Sequence, residues 1–209
     1  MLQVHLKSLP IRLESRIVGV IDDSSLMNEV KRLELIRLAK ETSRYASKVT
    51  SGIAYHQINV DELLTRTSQH LDIQFNVKEY VDTIRFENFM PELRRCYSQL
   101  LRKLDSDKMS PNQLKSVISK ALVLAMDNCD VKIQCSCPDF AYRFAYVATI
   151  GDYKLGTPET RPAMRTNPEN KGSMCKHLSA VVGTVSKWQS KVVRDLYKIV
   201  QYDETLLTK

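Results

Sequence analysis

Two short pairs of metal-binding residues, set far apart in the chain, limit its possible folds more than any other feature. Cys135 and Cys137 form one pair, Cys175 and His177 form the other, and 37 residues lie between the two pairs. Side chains two apart on a strand share a face, so Cys135 and Cys137 can aim both sulfurs at one ion. Three thiolates and one imidazole complete a tetrahedral zinc set. The sequence therefore predicts one zinc ion bound by Cys135, Cys137, Cys175 and His177.

The second pair needs a different local structure. Residues two apart on a helix diverge by about 200°, so we expect Cys175 in the turn before a helix and His177 in its first turn. Gly172 and Ser173 are suited to that turn. Four protein ligands leave no open position for water, which is typical of a structural zinc site rather than a catalytic one. The alternatives are reduced cysteines buried in a core and, less favoured, a disulfide.

The sequence around these ligands carries a family resemblance. Residues 131–140 (VKIQCSCPDF) and 175–181 (CKHLSAV) resemble the SWIM-type zinc finger, in which a CxC strand hairpin is followed by a CxH motif that opens a helix. Residues 139–146 and 165–172 also resemble a variant found in structural proteins of tailed bacteriophages. The resemblance implies a zinc-stapled module and a place in the head or neck of a virion, assembled in the host cytoplasm.

Length and composition set the class of protein. The chain has 209 residues with an ordinary hydrophobic fraction of 43%, enough for one good core or two small ones. No apolar run approaches the roughly 18 residues that cross a bilayer, and the N-terminus lacks the pattern of a secretion signal. We therefore expect an intracellular, reducing compartment even if the protein is not viral, and no membrane partner.

The net charge of +7 invites a nucleic-acid interpretation, because lysine and arginine neutralise phosphates. The distribution of charge along the chain weakens this interpretation. Residues 1–105 carry 16 basic and 14 acidic side chains, and residues 106–209 carry 15 basic and 10 acidic side chains. Such a mild excess serves equally well for contact with nucleic acid or an acidic protein, or for solubility alone.

Periodicity predicts an α+β fold, mainly helical, with short antiparallel strands, and the resemblance to the SWIM-type finger implies a zinc-stapled hairpin-helix module in the C-terminal half. Ile73, Phe75 and Val77 alternate with polar residues, as in a half-buried strand. Helices are expected over 22–48, from Pro91 through Leu104, from Ser110 to about 126, and over 139–149, 177–188 and 191–202, with an exposed loop over 151–173. We divide the chain into an N-terminal α+β region, 1–105, and a helical region, 106–209, that contains the module at 135–177.

Other candidate residues fit less specific roles. Cys96 lies on an apolar helix face, and Cys129 is roughly 20 Å from Cys135 if the chain between them is extended, too far to share an ion. His5, His56 and His70 lack a neighbouring ligand, so we expect them to be hydrogen-bonded histidines. The aromatic residues Phe140, Tyr142, Phe144 and Tyr146 could stack on bases, but their spacing favours a helix with one buried face.

The motifs of common enzymes are missing from this sequence. It contains no phosphate-binding glycine loop, serine nucleophile elbow or catalytic zinc triad, so we expect no enzymatic activity and no small-molecule substrate. The favoured function is a structural protein that contacts other virion proteins or further copies of itself, through the 151–173 loop and the first long helix. The alternative is a nucleic-acid-binding protein that uses the zinc module as its reader, with non-specific nucleic acid as a partner.

Overall fold

A computed structural model describes residues 53–58, 62–63, 68–104, 109–183 and 185–207. The helix expected over 22–48, and His5, lie outside the described residues. Contacts divide the described chain into two compact units. Of the described residues, the first contains 53–57, 73–85, 131–183 and 185–186, and the second contains 58, 62–63, 68–72, 86–104, 109–130 and 187–207. Each unit therefore draws on both sides of residue 105.

A four-stranded sheet is the framework of the first unit. Its strands are β1 (Ile53–Ile58), β2 (Leu71–Val77), β3 (Tyr80–Phe86) and β4 (Val131–Cys135), which lie side by side in that order. β2 and β3 form a hairpin whose turn has Lys78 at φ 57°, a left-handed conformation that tight hairpin turns favour. Ile73, Phe75 and Val77 are fully buried, so the predicted alternation along β2 is confirmed.

The register between β3 and β4 decides which side chains meet. The N–H of Ser136 donates to the carbonyl of Val81 at 3.0 Å, and the N–H of Glu87 donates to the carbonyl of Asp130 at 2.9 Å. These two bonds require an antiparallel pair in which Asp82 stands directly opposite Cys135. Because Val81 and Ser136 form the hydrogen-bonded pair, Asp82 and Cys135 form the next pair, the type whose side chains approach more closely.

Helices form most of the second unit. Helix α1 (Phe89–Leu101) packs with α2 (Pro111–Asn128). The N-terminus of α2 has the expected signal, since the side chains of Ser110 and Gln113 each bond the other's backbone N–H, a reciprocal arrangement that satisfies two free donors. The fold prediction of a mainly helical α+β protein with antiparallel strands is confirmed.

Two predicted helix boundaries are wrong. Helix α1 begins at Phe89, two residues before Pro91, and it ends at Leu101, which leaves Leu104 46% exposed. Proline is tolerated at this position because the first helical turn needs no intrahelical N–H donors.

The C-terminal helices also divide elsewhere than predicted. They are α4 (Lys176–Val182) and α5 (Val185–Tyr202), and α4 ends at Gly183. Glycine is a poor helix former, whereas residues 189–191 carry no such signal. Val192, Leu196 and Val200 recur every fourth residue and are all buried, which explains why α5 continues without a break.

A short helical segment and a loop complete the first unit. A π-helical turn (Phe140–Phe144) runs into helix α3 (Ala145–Ile150), and the chain from 151 to 173 then forms no helix or regular strand. Among the described residues, no helix combines the length and the apolar character needed to cross a lipid bilayer.

Candidate metal centre

Cys135 and Cys137 leave the end of β4 pointing inward. Cys135 is the last residue of the strand, and Ser136 then extends the pairing because its hydroxyl accepts a 2.9 Å hydrogen bond from the N–H of Val81. The side chain of the middle residue thus holds the chain against β3 while its two neighbours face the interior. Cys135 is 4% exposed and Cys137 is 1% exposed.

Cys175 and His177 are placed by the start of α4. Cys175 is the N-cap residue in an extended conformation, and His177 is the second residue of the helix, as predicted. Gly172 precedes them at φ 74°, a left-handed conformation that glycine adopts without strain. The buried Tyr153 hydroxyl donates to the carbonyl of Ser173 at 3.0 Å and holds this approach in place.

The two pairs meet in the interior of the first unit. The ligand atoms of Cys135, Cys137, Cys175 and His177 all lie within 4.8 Å of one another, and all four side chains are buried. Cys135 Sγ lies 3.8 Å from His177 Nδ1, so this ring nitrogen faces the sulfurs. The arrangement could hold a metal ion and is compatible with a zinc-finger-like site.

Backbone N–H groups are aimed at the sulfurs. The N–H of Cys137 lies 3.4 Å from Cys135 Sγ, and the N–H of Phe140 donates to Cys137 Sγ at 3.2 Å. Hydrogen bonds to a sulfur favour its ionised form, which is the form that binds metal. The turn after β4 therefore prepares two of the sulfurs as ligands.

The cysteines differ in acidity. A hydrogen bond with the Cys135 thiol, helped by the backbone of Leu178, lowers the pKa of Cys175. The same shared hydrogen bond and burial raise the pKa of Cys135, and burial raises the pKa of Cys137 to about 11. Cys175 is therefore the first of the three to ionise, and a bound dication would draw the other two into the thiolate form.

His177 is held as a neutral ligand. Burial is the largest cause that lowers its pKa, and nearby Lys176 adds to the effect. A neutral imidazole is the form that coordinates metals. The Tyr80 ring packs against the imidazole with ring centres 4.8 Å apart and planes tilted by 37°, which fixes the orientation of the ring toward the cluster.

Asp82 is a member of this environment that the sequence analysis missed. It is fully buried, and burial raises its pKa to about 7. The nearby Cys135 thiol lowers this pKa by a smaller amount, but neither carboxyl oxygen has a hydrogen-bond partner of normal geometry among the described residues. The sequence does indicate that Asp82 is unusual, because it shares its strand face with Ile84 and Phe86. Burial of a carboxyl group on an apolar face is costly unless another group compensates it.

The remaining cysteines are not part of the cluster. Cys96 is buried in α1, where the side-chain amide of Asn128 lies 3.5 Å from its sulfur, and Cys129 is the buried C-cap residue of α2. His70 does not join the four ligand residues either. Of His56, only the backbone position in β1 is described.

The segment between the two ligand pairs has a buried side and an exposed side. Phe140 and Phe144 are buried and Tyr142 is 71% exposed, as predicted, but Tyr146 is only partly exposed, and the helix predicted over 139–149 is a π-helical turn followed by α3. Backbone hydrogen bonds also attach the following loop to the sheet. Ile133 of β4 exchanges backbone hydrogen bonds of 2.8 and 2.9 Å with Tyr153 and Leu155.

A buried asparagine organises the far end of the loop. The side-chain N–H₂ of Asn167 donates to the carbonyls of Arg143 and Lys171, and its side-chain oxygen accepts from the N–H of Lys171. Asn167 is only 5% exposed, so the loop has its own interior here even though it lacks regular secondary structure.

Comparisons of this chain with protein-family models, with curated proteins and with solved structures gave no match. The function of this chain is therefore inferred from the residues and geometry of the cluster.

Proposed function

We propose that this chain is a non-enzymatic, zinc-binding structural protein that works through protein–protein contacts. The observation that carries the zinc assignment is the convergence of four buried ligand atoms within 4.8 Å. Three sulfurs and one imidazole nitrogen match the preference of zinc for soft, tetrahedral ligand sets.

A structural role for the ion follows from where its ligands lie. Cys135 ends the edge strand of the sheet and Cys175 starts α4, so an ion would join two elements that are far apart in sequence. The ligand residues are at most 4% exposed, which favours an ion that holds the fold over one that meets a substrate.

Exposed apolar side chains between the ligand pairs support the partner assignment. Tyr142 and Met164 are each 71% exposed and Ile150 is 59% exposed. Large apolar side chains in solvent are candidates for contact with a partner chain. The partners in this proposal are other virion proteins or further copies of the chain. The placement in the head or neck of a tailed phage rests on the sequence resemblance of residues 139–146 and 165–172 alone.

One observation favours a second candidate, a nucleic-acid-binding protein. Lys191, Arg194 and Lys198 are exposed at helical spacing along α5, and the chain has a net charge of +7. Binding through such a surface is weak, non-specific and steeply salt-dependent. Competition binding near physiological salt separates the two candidates, since a preference of about a thousandfold for one sequence would favour the nucleic-acid reader.

The direct test of the zinc assignment is elemental analysis of the purified chain. We expect one zinc per chain, lost in Cys175→Ala and in His177→Ala. Cys96→Ala is the matched control, because it also removes a buried thiol but not one in the cluster. Wild-type protein without zinc, or Cys175→Ala with unchanged zinc, would refute the assignment.

The assembly role has its own test. Fractionation of a lysate from the native source shows whether the chain is free, bound to nucleic acid or incorporated in particles. A chain found only as a free monomer at high concentration would contradict the building-block proposal.

A further inference from the structure

The carboxyl group of Asp82 is buried, but it is not one of the four candidate ligands. It is 0% exposed, and neither oxygen makes a normal hydrogen bond within the described part of the chain. An uncompensated carboxyl group in an apolar interior is costly. A metal ion bound at the neighbouring cluster would compensate this buried carboxyl group.

The strand register brings Asp82 to one particular ligand. Asp82 stands opposite Cys135 in the antiparallel pair of β3 and β4, as the bonds on either side of them require. Side chains in such a pair start from Cβ atoms about 4.5–5.5 Å apart. The aspartate side chain is one atom longer than that of cysteine, so its oxygen can cover the distance to the ion that Cys135 would hold.

The Asp82 carboxyl group is near enough to Cys135 and Cys175, which come from separate elements, for its charge to favour a higher pKa of both thiols. Cys137 lies beyond the end of β4, outside this strand pair, and its sulfur accepts a hydrogen bond from the N–H of Phe140. The register therefore gives Asp82 a relationship to Cys135 that it does not have to Cys137.

We infer that Asp82 is an alternate ligand of the metal ion, able to take the coordination position of Cys135. This inference rests on the proposed zinc binding at the cluster. Zinc accepts carboxylate oxygen at about 2.0–2.2 Å as well as sulfur at about 2.3 Å. One anionic donor replaces another, so the net charge of the site is the same with either set. The Asp82 carboxyl group loses its proton on binding, the released Cys135 sulfur takes up that proton as a thiol, and the ion keeps four protein ligands.

Zinc content of four full-length variants tests the inference. Cys135→Ala should retain about one zinc per chain, whereas Cys135→Ala/Asp82→Asn should bind zinc at least about tenfold more weakly. Asp82→Asn alone should retain the ion, because the four original ligands remain. Cys137→Ala is the matched control and should lose zinc, since no carboxyl group stands opposite it.

A change of spectrum and a rescue variant guard against simple misfolding. Cobalt(II) bound to Cys135→Ala should show weaker sulfur charge-transfer absorption than cobalt bound to the wild-type chain, since one thiolate is replaced by oxygen. In Cys135→Ala/Asp82→Cys the thiol is moved across the strand pair, and both zinc binding and the stronger absorption should return.

The outcomes separate the two proposals. If the wild-type chain holds no zinc, the proposed function fails. If the wild-type chain holds zinc but Cys135→Ala loses it as completely as Cys137→Ala, and the moved thiol restores nothing, then Asp82 is no alternate ligand and only this inference is overturned.

Discussion

The thiol of Cys135 and the imidazole of His177 face each other at 3.8 Å, Sγ to Nδ1, although 42 residues separate them in the chain. One belongs to the end of a strand and the other to the first turn of a helix. The interior of the first unit therefore contains a contact between polar side chains that are distant in sequence. A metal ion bound there would act as a cross-link between β4 and α4.

Removal of the metal should destabilise the first unit. Structural zinc contributes about 10–16 kcal/mol of apparent binding free energy in small peptides, and that energy becomes folding energy. We expect a strong chelator to lower the melting temperature of the purified chain, measured by circular dichroism. One equivalent of added zinc should restore it. An unchanged melting curve in chelator, with zinc shown to be gone, contradicts a structural role.

Ser110→Ala should weaken α2. The substitution removes the hydroxyl that accepts from the N–H of Gln113, and loss of such a cap costs about 1 kcal/mol. Urea denaturation should show this decrease in the free energy of unfolding. Ser116→Ala is the control, because Ser116 is exposed within the same helix and alanine is the better helix former there. Equal effects of the two substitutions would argue against the cap.

Asn167→Ala should loosen the loop between the ligand pairs. It removes three hydrogen bonds, to Arg143 and Lys171, at a site that is only 5% exposed. Leaving their partners unpaired costs about 1–3 kcal/mol. Limited proteolysis should therefore cut within residues 151–173 faster than in the wild-type chain. Thr160→Ala, at an exposed position of the same loop, should leave the rate unchanged, and no acceleration in Asn167→Ala would refute the role of the buried amide.

The Glu159 carboxyl group should titrate at unusually low pH. Its hydrogen bonds with the Arg161 side chain lower its pKa from 4.5 to about 2. Since the pKa is depressed in the folded state, the ion pair stabilises the loop above pH 4.5 and is lost as pH falls toward 2. Carbon NMR of the carboxyl group measures the midpoint. In Arg161→Gln the midpoint should return toward the ordinary value, and an unchanged midpoint would contradict this pairing.

Replacing the exposed apolar groups should impair assembly but not metal binding. Tyr142→Ser/Met164→Ser removes two side chains that are each 71% exposed, so the fold should lose little. We expect fewer chains in particles or oligomers, measured by sedimentation, with zinc content unchanged. In the wild-type chain, loop 151–173 should be more resistant to protease in the assembled form than in the free form. Normal assembly of the double variant would exclude this surface as the contact.

The four residues of the cluster could be predicted because each pair is local. The spacing of Cys135 and Cys137 suits the end of a strand, and the spacing of Cys175 and His177 suits a helix start, so both geometries follow from neighbouring residues. The cap at Ser110 was predictable for the same reason. These signals depend on a few adjacent residues and not on the rest of the fold.

Asp82 could not be placed in the same way. Its partner Cys135 is on a strand that follows two long helices in the chain, and the pairing of β3 with β4 depends on how the entire sheet assembles. A one-residue change in register would have turned the carboxyl group to the other face. Similarly, the pairing of Ile133 with Tyr153 and Leu155 joins a strand to a loop that has no periodicity of its own.

The position of the cluster also determines how the chain would respond to mechanical force. The 37 residues between Cys137 and Cys175 could extend to roughly 130 Å. With an ion bound by both ligand pairs, a force that pulls on the chain from either side of the cluster would pass through the ion and not through this segment. The segment would carry no load until the coordination bonds ruptured, and it could lengthen only after that. Such a cross-link would limit how far the chain could stretch under load.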